Sequence, residues 1–443
     1  MNNDYQNHTT TKVSHPSPPR RGAGGEVNNG KTFGFVNLCV ILTLISTSSL
    51  YAQSLSLNQF LKSALDNPYY KSFDVQNSFL QERNAFSLPW VNQVQFRYQD
   101  NQFNNFQSRY GLRFDAGNPW QISRNNKYFQ GIQTLKGLEQ KMVLKEILRD
   151  RYDLVVEFWI ASELAGLVLK QKEMREQIGR VIGQKAGSAS FDADQFLNAQ
   201  LDIISKEADW HEANFERDVV KTKILAEASA TVFDLPLTRM IDVDQINQLI
   251  QIETKAAGQT EFELLRQRVE LSNRKMQLEK SNFDVGFLQA MYSSNRQIDG
   301  RNSFGLAFGV TIPITNPNKE NVAREKLNVL ERQGELEQFQ SEEKNKRLNS
   351  VLYLQLHLNH YQKLDSLVTA VKSRGMNLLT GQASNYDPVI ELKYREKLIQ
   401  FDMLKIRIKK EILLQYISYL DNSDKLHERP LVNYLSKDLE RVE

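Results

Sequence analysis

Apolar residues along this chain change spacing from helical to alternating and back, and they do so twice in the same order. From Ser56 to about Leu88 the spacing is helical, with Leu57, Phe60, Leu61, Ala64 and Leu65 on one face. Asn67-Pro68 interrupts that helix and Leu88-Pro89 ends it, because proline cannot continue the hydrogen-bond ladder. The period then falls to two. Trp90, Val94, Phe96 and Tyr98 alternate with Gln93, Gln95, Arg97 and Gln99, and Tyr110, Leu112 and Phe114 alternate with Arg109, Arg113 and Asp115, which predicts strands over 90–100 and 106–115. Helical spacing returns through Leu135, Leu138, Met142, Leu148, Val155, Phe158, Leu164 and Val168. A helical hairpin is expected over 121–235, turning at Gly183–Ser190; its first arm of some sixty residues would be ~90 Å long.

The second copy opens with Leu264, Leu265, Val269, Leu271, Met276 and Leu278 as a helix. Strands follow over 283–292 and 303–313, then a hairpin over 318–420 that breaks at Gly381-Gln382-Ala383-Ser384. The first strand pair ends Tyr110-Gly111-Leu112-Arg113-Phe114 and the second ends Phe304-Gly305-Leu306-Ala307-Phe308. The chain therefore divides into a first repeat over 53–258, with 238–258 as its link, a second repeat over 259–421, and a polar C-terminal tail over 422–443. Alternation of this kind suits a sheet between core and water, and equally a barrel between lipid and an aqueous lumen. Four strands cannot close a sheet alone, and unpaired edges in lipid cost several kcal/mol per lost hydrogen bond, about the magnitude that forces assembly.

Residues 1–52 read differently. Lys31 precedes the apolar run Phe35–Ile45, small and polar residues follow, and Tyr51-Ala52-Gln53 offers a cleavage point, the signature of a secretory signal behind an unstructured extension. The sole cysteine, Cys39, lies inside that run, so the exported remainder would be free of thiols and disulfides. Net charge is +3, or +1 without residues 1–52, which gives no support for a nucleic-acid partner. Mean hydropathy is −0.51, and no later stretch approaches the ~20 apolar residues a spanning helix needs, a limit that a β-barrel escapes.

Taken in order, these features resemble the TolC family of outer-membrane efflux channels, over about Leu55 to Leu420. The carriers are Leu57–Pro68, with its Ala-Leu and Asn-Pro, Phe308-Gly309-Val310-Thr311-Ile312-Pro313-Ile314 running into Asn318–Leu336, and the two turns Gly187–Asp192 and Gly381–Asp387. The resemblance implies a mixed α and β membrane protein. Four strands and two long antiparallel coiled-coil hairpins per chain would assemble as a homotrimer, with a twelve-stranded β-barrel in outer-membrane lipid and an α-helical tunnel in the periplasm. It implies a passive export conduit of a tripartite efflux or type I secretion system, with a periplasmic adaptor docking at Gly187, Ser190, Gly381 and Ser384 and an inner-membrane pump supplying energy. It also implies a periplasmic tip narrowed by carboxylates, here Asp192, Asp194, Asp387 and Glu391. Ala383 stands where multidrug members carry an arginine, and Ile390 where a second ring aspartate is expected.

Each candidate has a plainer reading. Asp192, Asp194 and Asp387 follow Gly/Ser breaks and suit helix capping, worth about 1 kcal/mol each. Trp90, Tyr98, Tyr110 and Tyr292 at strand ends suit a membrane-interface girdle, or the rim of a soluble sheet. His357 and His360 are three apart on a helix without a carboxylate at useful spacing, so no metal site is expected. No nucleophile elbow or phosphate loop is present after the signal, and neither catalysis nor a cofactor is expected. The rivals are a soluble periplasmic coiled-coil scaffold or adaptor, and an exported enzyme on a helical frame, which would need a cleft of converging titratable groups.

Overall fold

The computed structural model describes residues 54–82, 86–100, 107–187, 191–233, 239–252, 260–295, 303–311, 318–381 and 388–442. All of these belong to one unit, Ala52–Glu443. The expected signal segment over 1–52 lies outside them, as do Ser190, Ala383, Ser384 and Asp387.

Strand β1 (Ser54–Leu55) leads into helix α1 (Leu57–Lys62) through a reciprocal cap. The Ser56 hydroxyl accepts from the Gln59 N–H while the Gln59 side chain accepts from the Ser56 N–H. After a 3₁₀ turn, α2 (Pro68–Gln81) begins where Asn67 accepts from the Tyr69 N–H and Pro68 takes the first helical position. The Asn-Pro pair thus starts a helix rather than breaking one, and the helix stops at Gln81, short of Leu88.

Strands β2 (Val91–Asp100) and β3 (Gln107–Ala116) precede α3 (Pro119–Gly183) and α4 (Ala193–Glu227). Strands β5 (Gly286–Asn295) and β6 (Ser303–Val310) precede α7 (Lys319–Gly381) and α8 (Pro388–Asn422). The 65 residues of α3 span ~100 Å. Asn118 caps α3 by accepting from the Trp120 and Gln121 N–H groups, and its amide donates to the Ser281 and Phe283 carbonyls at 2.7 and 3.0 Å. That buried side chain ties the first repeat to the end of α6 (Thr260–Lys280). Asn318 donates likewise to the Asn282 carbonyl at 2.6 Å before α7.

The four long strands form one antiparallel sheet in the order β2-β3-β5-β6. A smaller parallel pair joins β1 to β4 (Val232–Phe233). The core lies against the middle of α3, not at its ends. Leu148, Tyr152, Val155, Val156 and Trp159 of α3 meet Phe60, Leu61, Ile224 and Phe233, and Ile412, Tyr416 and Ile417 of α8. A separate apolar cluster of Ile178, Ile182, Ala199 and Val389 holds α3, α4 and α8 together near the hairpin ends.

Three segments differ from the expectation. The link over 238–258 contains a helix, α5 (Val243–Ile252), whose Ile246 and Ile250 are buried in the core. The tail after Asn422 is packed: Leu426, Leu431, Leu435 and Val442 are buried, the Tyr152 hydroxyl donates to the Val432 carbonyl at 2.8 Å, and Met240 bridges to Ser436. Its apolar residues fall at irregular intervals among turns, so no periodicity announces them. Strand β5 starts at Gly286, not 283, because the Phe283 carbonyl is engaged by Asn118. It runs past 292 to Asn295, where Ser293, Ser294 and Asn295 pair with Arg109, Ser108 and Gln107.

Candidate functional site

The register of the sheet sorts its side chains by chemistry. Three successive cross-strand rows read Tyr98–Tyr110–Tyr292–Phe304, Phe96–Leu112–Ala290–Leu306 and Val94–Phe114–Leu288–Phe308. The rows between them read Gln99–Arg109–Ser293–Ser303, Arg97–Gly111–Met291–Gly305 and Gln95–Arg113–Gln289–Ala307. Because successive side chains point to opposite faces, one face is apolar and the other polar or small. Among the described residues nothing covers the apolar face: Phe304 is 70% exposed, Leu306 69% and Phe308 81%. A soluble sheet would bury that face, since leaving each large apolar side chain in water forfeits about 1.5–3 kcal/mol.

Tyr98, Tyr110 and Tyr292 occupy one row, with the Tyr98 and Tyr110 rings 5.2 Å apart. Trp90 lies beyond the other end of the sheet, eight positions along the strand from Tyr98, and is exposed. At ~3.3 Å per residue, these aromatic residues bracket an apolar stretch ~26 Å long.

On the polar face, Arg113 donates to Asp115 at 2.7 Å and its guanidinium lies 3.9 Å from the centre of the Phe287 ring. Arg97 donates twice to the Gln95 amide oxygen, at 3.2 and 2.9 Å. Arg109 is exposed.

Further apolar side chains are exposed along the helices. Leu197, Leu201 and Ile204 form a stripe on α4, and Leu348, Leu352 and Leu356 another on α7. Spacings of three and four are those of a helix seam awaiting a neighbour.

An ionic cluster lies beside the core, where α3, α6 and α8 converge. Lys145 stands 3.0 Å from Asp424 and 3.8 Å from Asp421, and Arg149 is 3.1 Å from Asp421. Burial pushes Asp421 up despite Lys145 and Arg149. Asp424 feels the same burial, but the Thr260 N–H at 2.6 Å and Lys145 outweigh it and hold its carboxyl low. The Asp424 carboxylate thereby sits at the N-terminus of α6, where negative charge is favoured. Thr260 Oγ1 and His427 Nε2 are 3.2 Å apart, a nucleophile-to-base spacing. The arrangement stops there: the buried His427 Nδ1 has no carboxylate to orient it. Among the described residues no group of three or more His, Cys, Asp or Glu is placed to hold a metal ion, His357 and His360 included.

No protein-family profile matches the chain, and no curated protein is significantly similar to it. Solved structures do match. CusC, described for conformational changes accompanying folding and transmembrane channel formation, superposes with a TM-score of 0.61 over 84% of this chain and 93% of its own, at 10% identity. The open-state MtrE outer membrane channel of Neisseria gonorrhoeae gives 0.61 over 83% and 88%, at 12% identity. The outer membrane protein VceC of Vibrio cholerae gives 0.60 over 83% and 96%, at 10% identity. The chain has the outer-membrane channel fold.

Within this channel fold the expected tip residues fall into distinct places. Asp192 caps α4, accepting from the Asp194 and Gln195 N–H groups at 3.0 Å each. Asp194 follows in the first turn and is exposed. Glu391 pairs with Arg395 on its own helix, α8. Gly187 ends the turn after α3 with φ of +90°, a conformation that favours glycine, and Gly381 is the last residue of α7. The structure brings together a set that the sequence did not single out. Arg175 of α3 donates to Glu396 of α8 at 2.8 Å and to Asp202 of α4 at 2.6 Å, and the Glu396 side chain is 3% exposed. Three helices are pinned at one point just above the hairpin ends. Only a charge falling within the α8 seam hints at Glu396, and nothing local names its partner 221 residues away.

Proposed function

We propose that this chain is the outer-membrane channel component of a tripartite efflux or type I secretion system, a passive conduit with no chemistry of its own. The observation that carries the proposal is the sheet: one apolar face open to its surroundings, one polar face, and unpaired edges at β2 and β6. Three of the four strands have ten residues, within the roughly nine to eleven that cross a bilayer when tilted, and β6 has eight. No helix among the described residues is long and apolar enough to cross a membrane. Closure requires further copies, and three copies of four strands give the twelve-stranded barrel that the resemblance implies. The exposed stripes on α4 and α7 would then be seams between neighbouring chains of a periplasmic helical tunnel.

Trp90, Tyr98, Tyr110 and Tyr292 become the two interfacial girdles, where amphipathic rings settle at headgroup depth. The hairpin ends, with Gly187 and Gly381, face away from the barrel and are the docking place for a periplasmic adaptor, itself carried by an inner-membrane pump. Asp192, Asp194 and Glu391, with Asp387, supply the carboxylates of the tip. Secretion by the signal over 1–52 would place the chain in the outer membrane with a large periplasmic portion.

The soluble-scaffold reading lacks support because it leaves the apolar rows of the sheet in water. The test is fractionation of cells expressing the full chain, followed by unboiled gels and planar-bilayer recording. The proposal expects outer-membrane recovery, heat-resistant trimers and stable conductance steps. A monomer recovered without detergent would overturn it.

A further inference from the structure

We infer that the polar face of the sheet makes the membrane section of the pore prefer anionic solutes, with Arg97 and Arg109 setting that preference. The inference rests on the channel reading, which turns this face toward the lumen. Side chains on it carry three arginines, Arg97, Arg109 and Arg113, against one carboxylate, Asp115. Asp115 is committed to Arg113, whose guanidinium is also held over the Phe287 ring. Arg97 bonds to the neutral Gln95 amide, and among the described residues no carboxylate pairs with Arg97 or Arg109. The two lie on adjacent strands, one register step apart: Arg97 faces Gly111 and Arg109 faces Gln99.

The other half of the face carries no formal charge. Strand β6 contributes Ser303, Gly305, Ala307 and Gly309, with nothing acidic, and β5 contributes Gln289, Met291 and Ser293. Around a closed trimer the wall would alternate three basic strips with three uncharged strips, for a surplus of two positive charges per chain. Fixed charge of one sign in a narrow passage with low-dielectric walls raises the local concentration of the opposite ion. At 0.1 M salt the screening length is ~10 Å, comparable with a pore radius, whereas at 1 M it is ~3 Å and the preference fades.

The experiment is reversal-potential recording on reconstituted full-length trimers under a KCl gradient centred near 0.1 M. The double variant Arg97→Gln/Arg109→Gln should lower the chloride-to-potassium permeability ratio of wild type by about threefold or more. Heat-resistant trimers of the double variant, seen on unboiled gels, establish that it folds. A second measurement reads block: hexametaphosphate added on the barrel side should block wild-type current at lower concentration than it blocks the double variant. A permeability ratio that the double variant leaves unchanged, or hexametaphosphate block of equal strength in wild type and double variant, would each overturn the inference alone. Wild-type trimers with no conductance would overturn the channel reading and this inference with it.

Discussion

Leu288 and Gln289 are neighbours in β5 that face opposite sides of the sheet, so under the proposed barrel the same substitution at each would separate lipid from lumen. Leu288 belongs to the row Val94–Phe114–Leu288–Phe308, four residues from the tyrosine row and about midway to Trp90. In a barrel tilted near 40°, four residues at ~3.3 Å would put it ~10 Å below the proposed girdle, in hydrocarbon. An arginine there costs ~2–4 kcal/mol per chain, and therefore roughly 6–12 kcal/mol in a trimer. Arginine at position 289 enters the polar face directly opposite Arg113, where a like-charge cross-strand pair costs only ~0.2–1 kcal/mol. Graded heating of outer-membrane extracts before gel electrophoresis reads the difference as the temperature at which trimers dissociate. Leu288→Arg should abolish assembly or lower that temperature steeply, and Gln289→Arg should leave it within a few degrees of wild type. Equal behaviour of the two variants, or greater damage at 289, would refute the assignment of the two faces.

Three further outcomes follow from other parts of the molecule. Arg175→Met leaves Glu396 buried without its partner and should destabilise the helical portion by about 3–5 kcal/mol in urea titration, while Arg175→Met/Glu396→Met should recover part of that loss. Burial raises Asp153 from 3.8 to about 6, so the folded state binds its proton more tightly and stability falls as pH climbs through that window. Asp153→Asn should therefore raise the thermal midpoint at pH 7.5 and leave it unchanged near pH 3.5. Gly286 has φ of +132° and a Cβ there would sit 1.9 Å from the Gly309 carbonyl oxygen, so Gly286→Ala should part β5 from β6 and prevent heat-resistant assembly, read on the same gels.

Local periodicity carried much of the architecture. Alternation between Val94 and Tyr98, and again between Tyr110 and Phe114, marked strands that the structure places over 91–100 and 107–116. The three-and-four spacing of Leu148, Val155 and Phe158 marked the helix that holds the core. What escaped the sequence lacks a period. Leu426, Leu431 and Leu435 are buried one by one from turns, and Ile246 and Ile250 sit in a helix of only ten residues between breaks. The pinning of Arg175 by Glu396 and Asp202 is a tertiary coincidence of three helices, which spacing within any one of them cannot encode. Asp192 was legible as a cap because the Gly/Ser break before it left the first N–H groups of α4 in need of an acceptor.

The middle of the sheet is a seam between the two halves of the gene product, since β3 pairs with β5 across roughly 170 intervening residues. During synthesis the β2–β3 ribbon is complete long before its neighbour emerges, and two strands alone are marginally stable at best. A chain cut short after α4 would therefore carry an apolar ribbon with nothing to zip against. Termination or proteolysis anywhere before residue 286 yields a fragment that cannot contribute a full panel to a barrel wall. Under the proposed barrel, the strand order would thus act as a length check on every copy.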